Sequence, residues 1–361
     1  MLSPRQEVLA LSEVIHGAVN RTELASLGID PTSVLDFSAS VNSFGPSPRV
    51  VEAIANSSIH CYPDRDATEL RQILASHLGV PMECLIAGNG STELLYLIGL
   101  VFLRPADRVV VVGPTYSEYS RVAQLMGATV SCCQAGPEST FDFPACLVED
   151  SLRALQPRAL FVCHPNNPTG KLAPTEAICQ WAVEFPQTLF IVDEAYIEFS
   201  PDADSFTKLI RDNIVVLRSM TKAHGLAGLR LGYAVSTPEV IDLLARVRPP
   251  WSVSTIAQNA GIAALQDSSY LQRSLANLAA EKTLLLERLT SFGVVALPSE
   301  THFFLIRVAN ATATRQRLLE SGILVRDCSS FGMPEFLRIS PQTPPHNKLF
   351  CEAWKRFQFE C

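Results

Sequence analysis

Lys222 and Arg230 stand eight residues apart in LRSMTKAHGLAGLRLGY (217–233), among small, apolar and glycine residues with no carboxylate beside them. Lysine and arginine are seldom buried without a partner, because a lone charge loses its hydration. Their partner is therefore expected from outside the chain. Asp193 closes the very apolar run TLFIVDE (188–194). Such a carboxylate is either a turn or cap residue, or it repays its desolvation beside a cation or strong donor. In AGNGSTELL (87–95), Gly90, Ser91 and Thr92 precede an apolar-periodic helix and could offer amides and hydroxyls to a phosphate. Glu93 stands where a dinucleotide-binding loop would carry a third small residue. HPNNPTG (164–170) reads equally well as a plain turn.

The elements that must position these residues are legible as alternating short β-branched runs and longer amphipathic stretches, the pattern of βαβ units around a mostly parallel sheet. DRVVVVG (107–113), RALFVCH (158–164), TLFIVDE and NIVVLRS (213–219) are the clearest strands. In open α/β sheets ligands bind beyond the carboxyl ends of the strands. PTYSEY, HPNNPTG, DEAY and SMTK all fall there, so four loops should converge on one rim. A long helical pattern follows Pro249-Pro250 over 255–292, and FFLIRV (303–308), ILVRD (323–327) and EFLRIS (335–340) read as strands of a separate α+β unit. The expected division is an N-terminal arm with part of the small domain over 1–48, a large α/β domain over 49–255, and an interdomain helix plus C-terminal small domain over 256–361. The breaks at Gly28, Pro31, Gly45, Pro46 and Pro48 give the arm an extended character.

Composition narrows the class. The chain has 361 residues, 47% hydrophobic and 18% charged, with a formal net charge of −7, which argues against a nucleic-acid partner. LLYLIGLVFL (94–103) is about half of the ~20 residues a membrane span requires, and the N-terminus has no signal-peptide pattern. The ten cysteines lack CxxC spacing, so neither a zinc site nor a disulfide framework is expected. They read as small core residues in a reducing compartment, and the protein as cytoplasmic.

Taken in order, GNGSTE, PTY, NNPTG, DEAY, SxTK and the arginine eight residues after the lysine resemble the fold-type I pyridoxal-phosphate enzymes of the aminotransferase class I/II group. The resemblance runs from about residue 35 to the C-terminus. It implies a large domain with a mostly parallel seven-stranded sheet, a smaller α+β domain, and pyridoxal 5'-phosphate as cofactor. By this resemblance Lys222 bonds the cofactor aldehyde and shuttles protons, and Asp193 pairs with the pyridine nitrogen. Asn167 and Tyr196 reach the ring oxygen, and Tyr116 stacks on the ring face. Gly90, Ser91, Thr92, Ser219, Thr221 and Arg230 surround the phosphate. Tyr62 of CYPD matches a tyrosine supplied by the neighbouring subunit, which implies a homodimer with shared sites.

Within the group, IHGAVN (15–20), VLDFSASVNSFGPSP (34–48), PPWSVSTIAQNAGIAALQDS (249–268) and LVRDCSSF (324–331) resemble the threonine-phosphate decarboxylases of cobalamin side-chain synthesis. That family usually has His-Gly-Gly where this chain has His16-Gly17-Ala18. The resemblance implies a small phosphorylated amino acid as substrate: L-threonine O-3-phosphate would lose CO₂ to give (R)-1-amino-2-propanol O-phosphate. Arg338 would hold the substrate carboxylate, Arg326 and His16 its phosphate, and Asn42 would line the pocket. The alternative is an aminotransferase, such as histidinol-phosphate aminotransferase. In both reactions the substrate amine bonds to the cofactor in the same way, and the bond held perpendicular to the cofactor ring decides between them. Fold-level likeness alone does not choose.

Overall fold

In a computed structural model the chain is described over residues 2–359 except 12, 13 and 15. The apolar runs become strands buried on both faces, as a sheet covered by helices on each side requires. In chain order the strands are β1 Leu35–Asp36, β2 Leu85–Asn89, β3 Arg108–Gly113, β4 Thr129–Gln134, β5 Ala159–Cys163, β6 Leu189–Asp193, β7 Ile214–Ser219, β8 Leu231–Val235, β9 Phe304–Arg307, β10 Ile323–Leu324, β11 Arg326–Asp327 and β12 Phe336–Ile339.

β2 to β8 form the expected seven-stranded sheet, in the order β2-β8-β7-β6-β5-β3-β4. β3, β4, β5, β6 and β7 run parallel, and β8 is reversed against both its neighbours. The reversal leaves β2 pointing the same way as β7, so Asn89 and Ser219 end at the same rim as Gly113, Cys163 and Asp193. Apolar side chains on the two sheet faces enter separate cores, one with Val162, Phe190 and Val216, the other with Phe161, Ile191 and Leu217. Each fully buried side chain of this kind stabilises the fold by roughly 1.5–3 kcal/mol, which is why the sheet is a rigid base for its loops.

The helical stretch expected over 255–292 is two helices, Thr255–Gln266 and Ser268–Ser291, broken where Asp267 caps the second by accepting from the Tyr270 amide. Beyond them β11, β12 and β9 form an antiparallel sheet in that order. The N-terminal segment is less extended than its glycines and prolines predict. Helix Arg21–Ser26 buries Leu24 against Leu319 and Leu324, and β1 pairs in parallel with β10. Its apolar spacing supplied that anchor; the turn residues only punctuate it. Of the nine described cysteines all are free and five are buried, while Cys61, Cys132 and Cys146 are exposed; Cys361 lies outside the described residues. No helix among the described residues is long and apolar enough to cross a membrane.

Candidate active site

The rim opens into a cleft of about 280 Å³ lined by His16, Ser91, Thr92, Tyr116, Asn167, Asp193, Tyr196, Ser219, Thr221, Lys222, Arg230, Arg326 and Arg338. Sheet geometry brings them together from across more than 300 residues of sequence. Asp193 is the last residue of β6, and Ser219 the last of β7, with Lys222 three residues on. Along β6 the side chains alternate. Glu194, just past its end, turns away from the cleft to Arg218, whose Nη1 donates to Glu194 Oε2 at 3.0 Å. Asp193 turns into the cleft, where Tyr119 Oη donates to its Oδ2 at 2.8 Å and the Ala195 amide to its Oδ1 at 2.9 Å. Burial pushes the Asp193 carboxyl up, while Tyr119, Ala195 and the Lys222 charge pull it back down. A cation against this carboxylate completes its charge balance.

Lys222 shares the cleft with Arg230 and Arg338. Burial in the cleft wall, then the Arg338 and Arg230 charges, bring its amine from 10.5 down to about 8, with Asp193 opposing them. The amine sits 5.8 Å from the centre of the Tyr196 ring. Burial likewise pushes the Tyr196 phenol up to about 12, and the Tyr116 phenol well up from its ordinary value. Both hydroxyls therefore stay protonated donors at neutral pH.

A ring of donors lies beside the lysine. β2 ends at Asn89, which pairs with Leu231 at the start of β8, so Gly90 and Arg230 lie side by side. Gly90 has φ +77°, and a Cβ there would come within 2.7 Å of Arg230 Nη2. A Cβ on Gly232 would come within 2.4 Å of the Ser91 amide nitrogen. The two glycines thus let the first turn of the helix Gly90–Phe102 lie directly on the sheet beside the guanidinium. The Ser219 and Thr221 hydroxyls meet at 2.7 Å. Backbone amides at a helix start, hydroxyls and an arginine together form an anion cradle.

The small sheet supplies a second cationic group. Arg326 on β11 and Arg338 on β12 are direct cross-strand partners, and both are buried. Arg338 Nη1 donates to Asn167 Oδ1, and its Nη2 to the Ser38 carbonyl at 2.6 Å. Arg326 Nη2 donates to Ser330 Oγ at 2.6 Å, and its guanidinium lies 4.9 Å from the Phe331 ring centre. Burial and the facing Arg338 bring the Arg326 guanidinium down to about 10.

Three expected site residues lie elsewhere. Asn42 does not line the cleft: its Nδ2 donates to Ala223 O and Ser274 Oγ, both at 2.9 Å, and its amide to the Lys222 carbonyl at 3.0 Å. It braces the lysine loop. Gly90 makes room for Arg230 and does not itself face the cleft. Tyr62 is 79% exposed and stacked on Trp251 at 4.4 Å, outside the cleft of its own chain. His16 lines the cleft, but its Nε2 lies 3.1 Å from Glu118 Oε1, so it meets a carboxylate instead of the arginines. Tyr119, Glu118 and Ser38 were not anticipated. The spacing Tyr116–Tyr119, one helical turn, was the available signal for the first.

Pyridoxal phosphate fits these residues. The cradle suits its phosphate, Asp193 its ring nitrogen, and the partly neutral Lys222 amine its aldehyde. Among the described residues no group of three histidine, cysteine, aspartate or glutamate side chains is placed to hold a metal.

Comparisons with known proteins agree on class and correct the expected reaction. Residues 32–353 match the Aminotransferase class I and II family. A histidinol-phosphate aminotransferase of Symbiobacterium thermophilum is 38% identical over 98% of this chain and 98% of its own. The crystal structure of histidinol-phosphate aminotransferase from Sinorhizobium meliloti in complex with pyridoxal-5'-phosphate has the same fold, with TM-score 0.85 at 24% identity over 96% of this chain and 95% of that one. L-threonine-O-3-phosphate decarboxylase from Porphyromonas gingivalis superposes with TM-score 0.78 at 27% identity, covering 89% and 98%.

The expectation of threonine-phosphate decarboxylation is overturned. Eight curated relatives, 32–38% identical over nearly the whole chain, all carry the name histidinol-phosphate aminotransferase. The stretches that favoured the decarboxylase mostly pack and cap. Asn42 braces, Ser47 accepts from the Val50 amide to cap the helix Pro48–Ala55, and Ser254 caps Thr255–Gln266. Such residues report how the fold is held and carry little about the substrate. With pyridoxal phosphate as its cofactor, this chain belongs to the aminotransferase class I and II family.

Proposed function

We propose that this protein is an aminotransferase that moves the amino group of histidinol phosphate to 2-oxoglutarate. The observation that carries the reading is the Arg326–Arg338 pair in the same cleft as Lys222 and the phosphate cradle. One substrate brings a phosphate and the other brings carboxylates. Two buried guanidinium groups serve either anion in turn through charge-assisted, bidentate contacts.

Pyridoxal phosphate supplies an aldehyde for amine exchange and a protonated ring that withdraws electrons from the substrate Cα. The chain supplies the rest. Asp193, whose oxygens accept from Tyr119 and the Ala195 amide, would hold the proton on the ring nitrogen. Asn167 spends its Oδ1 on Arg338, which leaves its NH₂ as the group that would donate to the ring oxygen, together with the Tyr196 hydroxyl. Tyr116 covers the ring face. Ser91, Thr92, Ser219, Thr221 and Arg230 hold the phosphate. Lys222, whose amine is already partly neutral near pH 8, would take the proton from the substrate Cα and deliver it across the shared nitrogen to the carbon that was the cofactor's aldehyde. Holding Cα–H perpendicular to the ring, with the anion fixed by Arg338, is what selects amine transfer.

In this reading residues 49–255 form the cofactor-binding domain, while 256–361 and part of the first 48 residues form the domain that carries the substrate arginines. The enzyme works as a cytoplasmic homodimer. Exposed Tyr62, stacked on Trp251, offers an aromatic surface that a second subunit covers, taking Tyr62 to the partner's phosphate cradle.

The test is direct. The loaded protein should show the visible absorbance of lysine-bound cofactor, and Lys222→Ala should lose it. Histidinol phosphate with 2-oxoglutarate should yield glutamate. CO₂ from threonine phosphate without any glutamate would overturn the proposal.

A further inference from the structure

Glu118 opens the helix Glu118–Leu125 two residues after Tyr116 and is buried. A carboxylate there must recover its lost hydration from donors. Tyr96 Oη supplies one, to Oε2 at 2.8 Å, and Arg121 Nε lies 4.0 Å from the same oxygen. The other oxygen, Oε1, meets Nε2 of His16 at 3.1 Å. The His16 ring lies against Tyr116, with centroids 5.7 Å apart and planes tilted by 47°. His16 and Tyr116 both line the cleft that holds Lys222. A carboxylate and an aromatic face thus hold an imidazole at the wall of the reaction cleft, and that imidazole comes from the chain's own N-terminal arm.

Among the described residues, the arm next to His16 is tied to the segment that carries Ser38. The Ala18 amide donates to Ser38 Oγ at 2.9 Å, and Gly17 passes so close to Ser38 that a Cβ would reach its carbonyl oxygen at 2.8 Å. His16 itself is about half exposed, whereas the Glu118 side chain is 8% exposed. The carboxylate is buried while the imidazole is open on one side. Glu118 is drawn below the usual carboxylate range first by the His16 hydrogen bond, against burial and with help from Tyr96.

We infer that the Glu118–Tyr116 corner is an imidazole-binding subsite, filled by His16 in the substrate-free enzyme and by the imidazole of the substrate during turnover. This rests on the proposed substrate. An incoming imidazole offers the same N–H to Oε1 and the same flat face to Tyr116, so one imidazole replaces another without leaving the buried carboxylate unpaired. The substrate then outcompetes His16 because its phosphate also reaches the arginines. A substrate without a ring N–H leaves His16 in place. Glu118 thereby becomes a specificity residue for one half of the reaction only.

The experiment uses the cofactor-loaded enzyme and imidazole itself as probe, followed by calorimetry. His16→Ala removes the internal occupant and should tighten imidazole binding about threefold to tenfold. Glu118→Gln keeps the shape and the Tyr96 contact but loses the charge, and should weaken it about tenfold. In kinetics Glu118→Gln should raise KM for histidinol phosphate about tenfold and that for 2-oxoglutarate by less than twofold. Imidazole affinity unchanged in Glu118→Gln, or a raised KM for histidinol phosphate in His16→Ala, would overturn the inference. The two readings fail separately. Wild-type enzyme that makes no glutamate from histidinol phosphate, yet shows the imidazole pattern, loses its proposed substrate and keeps the subsite. Turnover without that pattern loses the subsite alone.

Discussion

Replacing Lys222 by methionine should make the cofactor-free protein more stable at neutral pH. The amine falls from 10.5 to about 8 in the fold, so the unfolded chain binds its proton more readily than the native one. The resulting penalty is fully present below about pH 8, shrinks as pH rises through that value, and is gone above about pH 10.5. Each tenfold difference in proton affinity is worth about 1.4 kcal/mol, giving roughly 3.4 kcal/mol for the full difference. Lys222 keeps some contact with the open cleft, so water screens part of it; about 2 kcal/mol is the working figure. Urea unfolding of apo wild type and apo Lys222→Met at pH 7 and pH 10 measures it. Methionine packing adds a pH-independent offset, and Lys282, also brought down to about 8 by burial, is common to both proteins and cancels. The pH dependence of the difference is therefore the decisive quantity. A difference that stays constant from pH 7 to pH 10, or a variant less stable at pH 7 than at pH 10 relative to wild type, would refute the reasoning.

Two further substitutions probe the frame of the site. Gly90→Ala places a methyl 2.7 Å from Arg230 Nη2 at φ +77°, so the guanidinium must move off the cradle; the Kd for pyridoxal phosphate, titrated by absorbance, should rise about tenfold or more. His302 is buried among Phe199, Tyr196 and Phe303, with neither ring nitrogen hydrogen-bonded to any described residue. His302→Phe should raise stability by about 1 kcal/mol at pH 7, read as a higher urea midpoint, because it removes two unsatisfied polar atoms.

Most of the candidate cleft was legible because the loops carrying Tyr116, Asn167, Asp193 and Lys222 each follow a strand that announces itself by an apolar run. Asp193 and Ser219 are the last letters of such runs, and a parallel sheet puts those ends on one rim. β2, β4 and β8 were not legible: LIAGN and LGYAV are short and glycine-containing, and TVSCCQ is half exposed. Tyr119 went unseen because an aromatic in EYSRVAQL reads as ordinary helix core. Its hydroxyl matters only through β6, seventy-four residues away. Glu118 reads as an acidic residue at a helix start, where the helix dipole favours it without any ligand. The substrate was misread for a different reason. Arg326 and Arg338 were found as residues, but their facing positions depend on strand register, and the loops that seemed diagnostic hold the fold together.

That register has a mechanical meaning. Arg326 and Arg338 occupy opposed positions on a two-residue ladder, so their like charges press β11 and β12 apart while the site holds no anion. An anion held between them would relieve that pressure. The Arg338 contact to Ser38 also ties this ladder to the segment that carries Gly17 and Ala18. The small sheet thus sets its two buried guanidinium groups against each other, an arrangement whose cost is lowest when a negative charge lies between them.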